Sequence, residues 1–130
     1  MAIRHFTDLL EEARRQPEPQ RLLLVLTRAE LPDQPSEAQR TRFEAGEGGV
    51  LTPVLCVDKT PDELSDMATL VEEARETDAD WDILFVGALD DPGREVDVEP
   101  HLQRMVESLK MGSIDRFLAF DRQGEVVSFQ

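Results

Sequence analysis

The sequence predicts a single α/β domain: a mainly parallel sheet with flanking helices and an antiparallel hairpin at its C-terminal edge. Apolar runs, polar turns and helical patterns alternate along the 130 residues, and such alternation argues for a parallel sheet covered by helices. The strongest apolar run, "LLLVL" at 22–26, is continuous rather than alternating, which argues for burial on both faces. The length suits one domain spanning 1–130, large enough to fold without a disulfide or metal.

Each element has a local signature. In "HFTDLLEEARRQ" (5–16), Phe6, Leu9, Leu10 and Ala13 fall on one helical face, and "PEP" at 17–19 stops the helix. "RLLLVLTR" (21–28) follows as a strand. After the turn "AELPDQP", Ser36 and Gln39 form a capping box for a short helix to about Ala45, ended by Gly46. "VLTPVLCV" (50–57) is the second strand, with Pro53 near its start. A helix over 61–76 puts Leu64, Met67, Ala68, Val71 and Ala74 on one face and Asp62, Asp66, Glu73 and Glu76 on the other. Thr60, Pro61 and Glu63 read as its N-cap, first residue and capping-box partner. "WDILFVGAL" (81–89) is the third strand. The loop "DDPGREVD" then leads to a helix over 98–111, with Leu102, Met105, Val106 and Leu109 inward and Gly112 closing it. "RFLAFDRQGEVVSFQ" ends the chain as strand, turn and strand, and "DRQG" suits a turn with a left-handed glycine. The expected order is α-β-α-β-α-β-α-β-β.

The charge is −14 and uneven: residues 58–99 hold 15 acids against three bases. A field of this sign repels nucleic acid and anionic lipid at long range and favours a basic partner protein. The short basic islands lack interleaved aromatics, which also speaks against nucleic acid. No run is long enough to span a bilayer, and "MAIRHFTDLLEEARRQ" has no signal-peptide core. The single cysteine, Cys56, excludes an internal disulfide and fits a cytoplasmic location.

Parallel strands would gather their carboxyl-end residues along one rim, where open α/β sheets bind ligands. That rim would hold Glu30, Asp33, Asp58, Lys59, Thr60, Asp90, Asp91 and Arg94. Asp58, Lys59, Asp90 and Asp91 are its candidate ligand residues, with carboxylates for Mg²⁺ and a lysine for phosphate. No motif for a catalytic, metal or cofactor site supports the rim. Cys56, within an apolar strand, reads as buried and inert. His5 and His101 with one cysteine cannot complete a closed zinc site. The glycine-rich "EAGEGGV" leaves a helix rather than entering one, which is the wrong order for a phosphate loop. The second candidate surface is the acidic helix face of Asp62, Asp66, Glu73 and Glu76, extended by Asp78, Asp80 and Asp82.

The stretches "LLEEARRQPEPQRLLLVL", "RFEAGEGGVLTPVLCVDKTPDEL" and "LQRMVESLKMGSIDRFLAFDRQG" resemble a family of small uncharacterised bacterial proteins, over nearly the whole chain. Its members often carry the label "ribonucleotide reductase subunit alpha". That reductase's large subunit is a long barrel enzyme needing several active-site cysteines, so one cysteine in 130 residues excludes its catalytic role. At most the label implies an association. The expected function is a non-enzymatic interaction or regulatory module using the acidic 58–99 surface, with no cofactor. The alternative is small-molecule or Mg²⁺-dependent phosphate binding at the strand-end rim.

Overall fold

The computed structural model describes residues 3–31, 34–44, 50–64, 66–77, 80–90, 98–111 and 117–127. Among them the order is α1 (Phe6–Arg15), β1 (Gln20–Glu30), α2 (Glu37–Glu44), β2 (Val50–Lys59), α3 (Met67–Glu76), β3 (Ile83–Asp90), α4 (Glu99–Lys110) and β4 (Leu118–Phe120), with a 3₁₀ turn at Pro61–Glu63. The four strands form one sheet in the order β2-β1-β3-β4. Every pairing is antiparallel. The expectation of a mainly parallel sheet is therefore corrected, although helices and strands do interleave.

The reason lies in the first connection. A parallel crossover needs a helix that can bury an apolar face on the sheet. In α2, "EAQRTRFE" offers no apolar stripe, and its described side chains are exposed. With nothing to bury there, β2 folds back beside β1, from Leu22↔Lys59 to Glu30↔Val50. β3 pairs on the other side of β1, from Gln20↔Asp90 to Thr27↔Ile83. β2 and β3 thus run the same way with β1 inserted between them, a split β-α-β arrangement joined through α3.

The continuous apolar run of β1 reports two-sided burial, but in an antiparallel sheet. Leu22, Leu24 and Leu26 join Phe6, Leu9 and Leu10 of α1, Met67, Leu70 and Ala74 of α3, and Trp81, Leu84, Val86 and Phe120. Leu23 and Val25 face the other way, with Phe85, Ala119 and Leu102, Met105 and Leu109 of α4. Alternate residues of one strand thus feed two cores, as its pleat requires. Thr27, a polar residue buried in the core, donates its hydroxyl to Ile83 O at 2.9 Å.

Three further expectations are corrected. β2 is an edge strand, so no described residue of it is fully buried and Cys56 is exposed. The edge also explains Pro53: it pairs with Thr27 across a register shift beside Leu26, where a missing donor costs no second partner. The single helix over 61–76 is broken. Leu64 is extended (φ −110°, ψ 126°), and Asp66 restarts the chain as N-cap of α3, leaving Ala68 exposed. Among the described residues the C-terminal hairpin is shorter than expected: β4 faces Glu125–Val127 through the antiparallel bridge Phe120↔Val126 and a bond from Val127 N–H to Ala119 O at 2.9 Å.

Several local readings are confirmed. Gln39 N–H donates to Ser36 Oγ (3.1 Å) and Ser36 N–H to Gln39 Oε1 (2.8 Å). The 121–124 turn places Gly124 at φ +86°. Asp121 accepts from the N–H groups of Gln123 and Glu125. Gly46 and Gly112 lie outside the described residues.

Candidate functional site

The rim divides once the strand directions are known. The carboxyl ends of β2 and β3 do share one end of the sheet, but β1 lies between them and its own carboxyl end, Glu30, lies at the opposite end. Glu30 there accepts from Arg28 Nε (3.0 Å) and Thr52 Oγ1 (3.3 Å). Asp33, Asp91 and Arg94 lie outside the described residues.

Asp58 and Lys59 point to opposite faces, as neighbours in a strand must. Asp58 sits across from Leu23, on the α4 side, and forms a half-buried ion pair with Arg21 (Nη1 to Oδ2, 2.6 Å). Lys59 sits across from Leu22, on the α1–α3 side, and reaches Glu73 of α3 (3.1 Å). Asp90 accepts from Gln20 Nε2 (2.9 Å), on the same face as Lys59 but two strand spacings, about 10 Å, away. Asp58, Lys59 and Asp90 therefore do not converge on one ligand-sized point. Among the described residues, no group of three or more His, Cys, Asp or Glu could hold a metal ion. A cleft of about 360 Å³ does open at this end, between α1 and the 3₁₀ turn, lined by Arg14, Gln20, Thr60 and Asp62. Arg14 spans it: Nη2 donates to Pro61 O and Leu64 O, both at 3.0 Å, and Nε faces Asp62 at 3.6 Å.

The acidic face is partly committed to the fold. Asp66 accepts from Thr69 N–H (2.8 Å) and Thr69 Oγ1 (2.9 Å). Those bonds, the backbone one first, hold its carboxyl below the usual range. Glu63 is lowered likewise, chiefly by Thr60 N–H. Asp80 faces Arg122 at 4.0 Å, and Asp82 accepts from Ala29 N–H. Asp78 lies outside the described residues. Because α3 buries Met67, Leu70 and Ala74, it turns Glu72 and Glu76 to solvent. Arg75 offsets Glu72 only loosely, at 3.5 Å between exposed side chains.

The pH dependence of the Asp66 cap has a definite sign. Its carboxyl is lowered in the folded state, so its contribution is present above the unfolded value and lost as pH falls through the folded one. Asp66→Ala is expected to lower the melting temperature at pH 7. The gap to the parent should close below about pH 4, where the parent cap also protonates. A gap that stays constant down to pH 2 would show that the carboxylate is not what caps α3.

Neither histidine serves Cys56. His5 caps α1: Nδ1 accepts from Thr7 N–H (3.1 Å), so Nε2 carries the proton and donates to Gln123 O (3.0 Å). His101 Nδ1 accepts from Arg104 (2.8 Å). Although the residue is exposed, the partial burial of its sulfur pushes the Cys56 thiol up, Glu99 adds to this and Lys110 opposes it. Such a thiol is a poor nucleophile at neutral pH.

Sequence reading missed Arg21, Arg14 and Gln20, the three β1 and α1 side chains that engage the rim. The signal for Arg21 was present: a cation entering an apolar central strand needs a partner. No described helix is long and apolar enough to cross a membrane. No family model matches the chain, and no curated protein or solved structure is measurably similar to it.

Proposed function

We propose that the protein is a non-enzymatic interaction module that docks a basic partner protein on its acidic 58–99 surface, in the cytoplasm. One observation supports this above others: α3 buries one stripe and turns Glu72 and Glu76 outward, in a segment holding 15 acids and three bases. Such a surface steers a cationic partner and fixes its register more than it adds raw affinity. Asp62 and Asp66 lie at the edge of this surface and serve the fold as well, Asp62 beside Arg14 and Asp66 as a cap.

The test should spare those structural carboxylates. Glu72→Lys with Glu76→Lys reverses two exposed charges without touching the Lys59–Glu73 pair. Partners that co-purify with the parent chain in a salt-sensitive way are expected to bind the double variant roughly tenfold more weakly. Undiminished binding of every such partner would refute the reading. A melting series with Mg²⁺ and nucleotides separates the alternative, because a ligand of the native state raises the melting temperature. Such a shift would move the function to the Asp58–Lys59–Asp90 end of the sheet.

A further inference from the structure

We propose that the second half of the β2 edge takes an extended segment of a basic protein as an added strand, beside the acids of α3. This rests on the docking role proposed above and deepens it by naming how the partner is held. Among the described residues β2 is the outermost strand, with β1 on one side only. An antiparallel strand spends alternate N–H and C=O groups on its neighbour, so the other half of them point outward. The side chains of Val54, Leu55 and Val57 are largely covered by the larger core. What this edge offers is therefore backbone, the group that strand addition uses. Natural sheets blunt such edges with prolines, bulges and charges. Here Pro53 and the register shift guard only the first half. The charges of the second half are engaged within the chain, Asp58 by Arg21 and Lys59 by Glu73.

Charge complementarity chooses the occupant. The second half of the edge ends at Lys59, which reaches Glu73 of α3 at 3.1 Å. Glu76 follows Glu73 by about one helical turn and is exposed. Asp62 and Glu63, just beyond the strand, are exposed as well, Asp62 almost completely. The unguarded backbone and the acids of the docking surface thus share one end of the sheet. A strand with lysine or arginine on alternate residues presents them all to one face. It can therefore hydrogen-bond to β2 and turn its cations toward α3 and the 3₁₀ turn at the same time. A second copy of this chain brings a charge of −14 of its own and meets like charge here.

The probe is a short labelled peptide alternating valine and lysine, titrated with the full chain and followed by fluorescence anisotropy. Binding is expected, with amide exchange slowed at alternate residues between Val54 and Lys59. A strand added at an edge donates through every second N–H. Of two further peptides, N-methylated on the valines or on the lysines, one should bind roughly tenfold more weakly and the other like the unmethylated probe. Glu72→Lys with Glu76→Lys should weaken the unmethylated probe roughly tenfold. Absence of binding overturns the proposal. Equal tolerance of both methylated peptides, with loss in the charge-reversed variant, overturns strand addition and leaves the docking reading standing. Binding that ignores the charge reversal removes the complementarity that chose the occupant and overturns the proposal as well. So does a dimer of the chain that the peptide cannot displace, which would give the edge to a second copy.

Discussion

Trp81→Ala is expected to cost about 3–5 kcal/mol, the range for truncating a buried aromatic. Trp81 is 1% exposed and packs in the larger core with Leu26, Leu84, Ala74 and Phe120. It lies just outside β3, where Asp82 N–H donates to Thr27 O at 2.7 Å and anchors the returning backbone to β1, so the walls cannot collapse freely into the cavity it would leave. A domain of this size has about 5–15 kcal/mol in hand, so one substitution removes a large share. Chemical denaturation followed by circular dichroism would measure it, with the lone tryptophan of the parent serving as a fluorescence probe of the same core. Arg122, 5.6 Å above the ring, provides the contrast. Its guanidinium is half-exposed, so Arg122→Ala should cost about 0.5–1 kcal/mol. Equal losses at the two positions would mean that the cation, not the burial, dominates at Trp81.

Gly124→Ala is expected to cost about 2–5 kcal/mol, from two sources. The residue sits at φ +86°, where any side chain is strained by about 1–2 kcal/mol. A Cβ there would also lie 2.8 Å from His5 Nε2 and 3.3 Å from Met67 Cβ, an overpacking that adds about 1–3 kcal/mol. The neighbourhood has little room to give. Phe6 N–H donates to Gly124 O at 2.7 Å, Val126 N–H to Arg4 O at 3.2 Å, and His5 is fixed at both ring nitrogens. A double-mutant cycle separates the sources. His5→Ala alone loses the cap, about 1 kcal/mol. Combined with Gly124→Ala it should lose less than the sum, because the clash has gone while the strain stays. Strict additivity would leave backbone strain as the whole cause.

These two sites show where sequence reading succeeds and where it stops. The turn at 121–124 is legible because Asp and Gly have local backbone reasons to be there. What Gly124 presses against is not, since His5 is near it only through the fold. The elements themselves were legible, because periodicity reports which faces are buried. The direction of each strand was not. Continuous burial along β1 looks the same whether its neighbours run with it or against it. The discriminating clue lay in α2, whose lack of an apolar stripe removes the crossover that a parallel pair would need. The break after Leu64 had a clue as well, since Asp66 and Thr69 form a second cap inside the supposed helix. At the rim, residue types were right and company was wrong. Asp58 and Lys59 looked unassigned until the register set Arg21 and Glu73 beside them.

The placement of β1 between its two neighbours has a consequence for how the chain is made. Its pairing with β3 joins Gln20 to Asp90, and the T-shaped contact of Phe6 with Phe120 closes the larger core. A nascent chain that has emerged only to residue 60 can form the β1–β2 ribbon but has neither the second neighbour of β1 nor the helices α3 and α4 that cover it. The most apolar strand of the protein then waits on the ribosome with one edge and much of both faces bare. Contacts this distant along the chain slow folding and prolong exposure of unpaired strand. The acidic segment is synthesised directly after that ribbon, and charge of this sign repels other copies of the chain at long range.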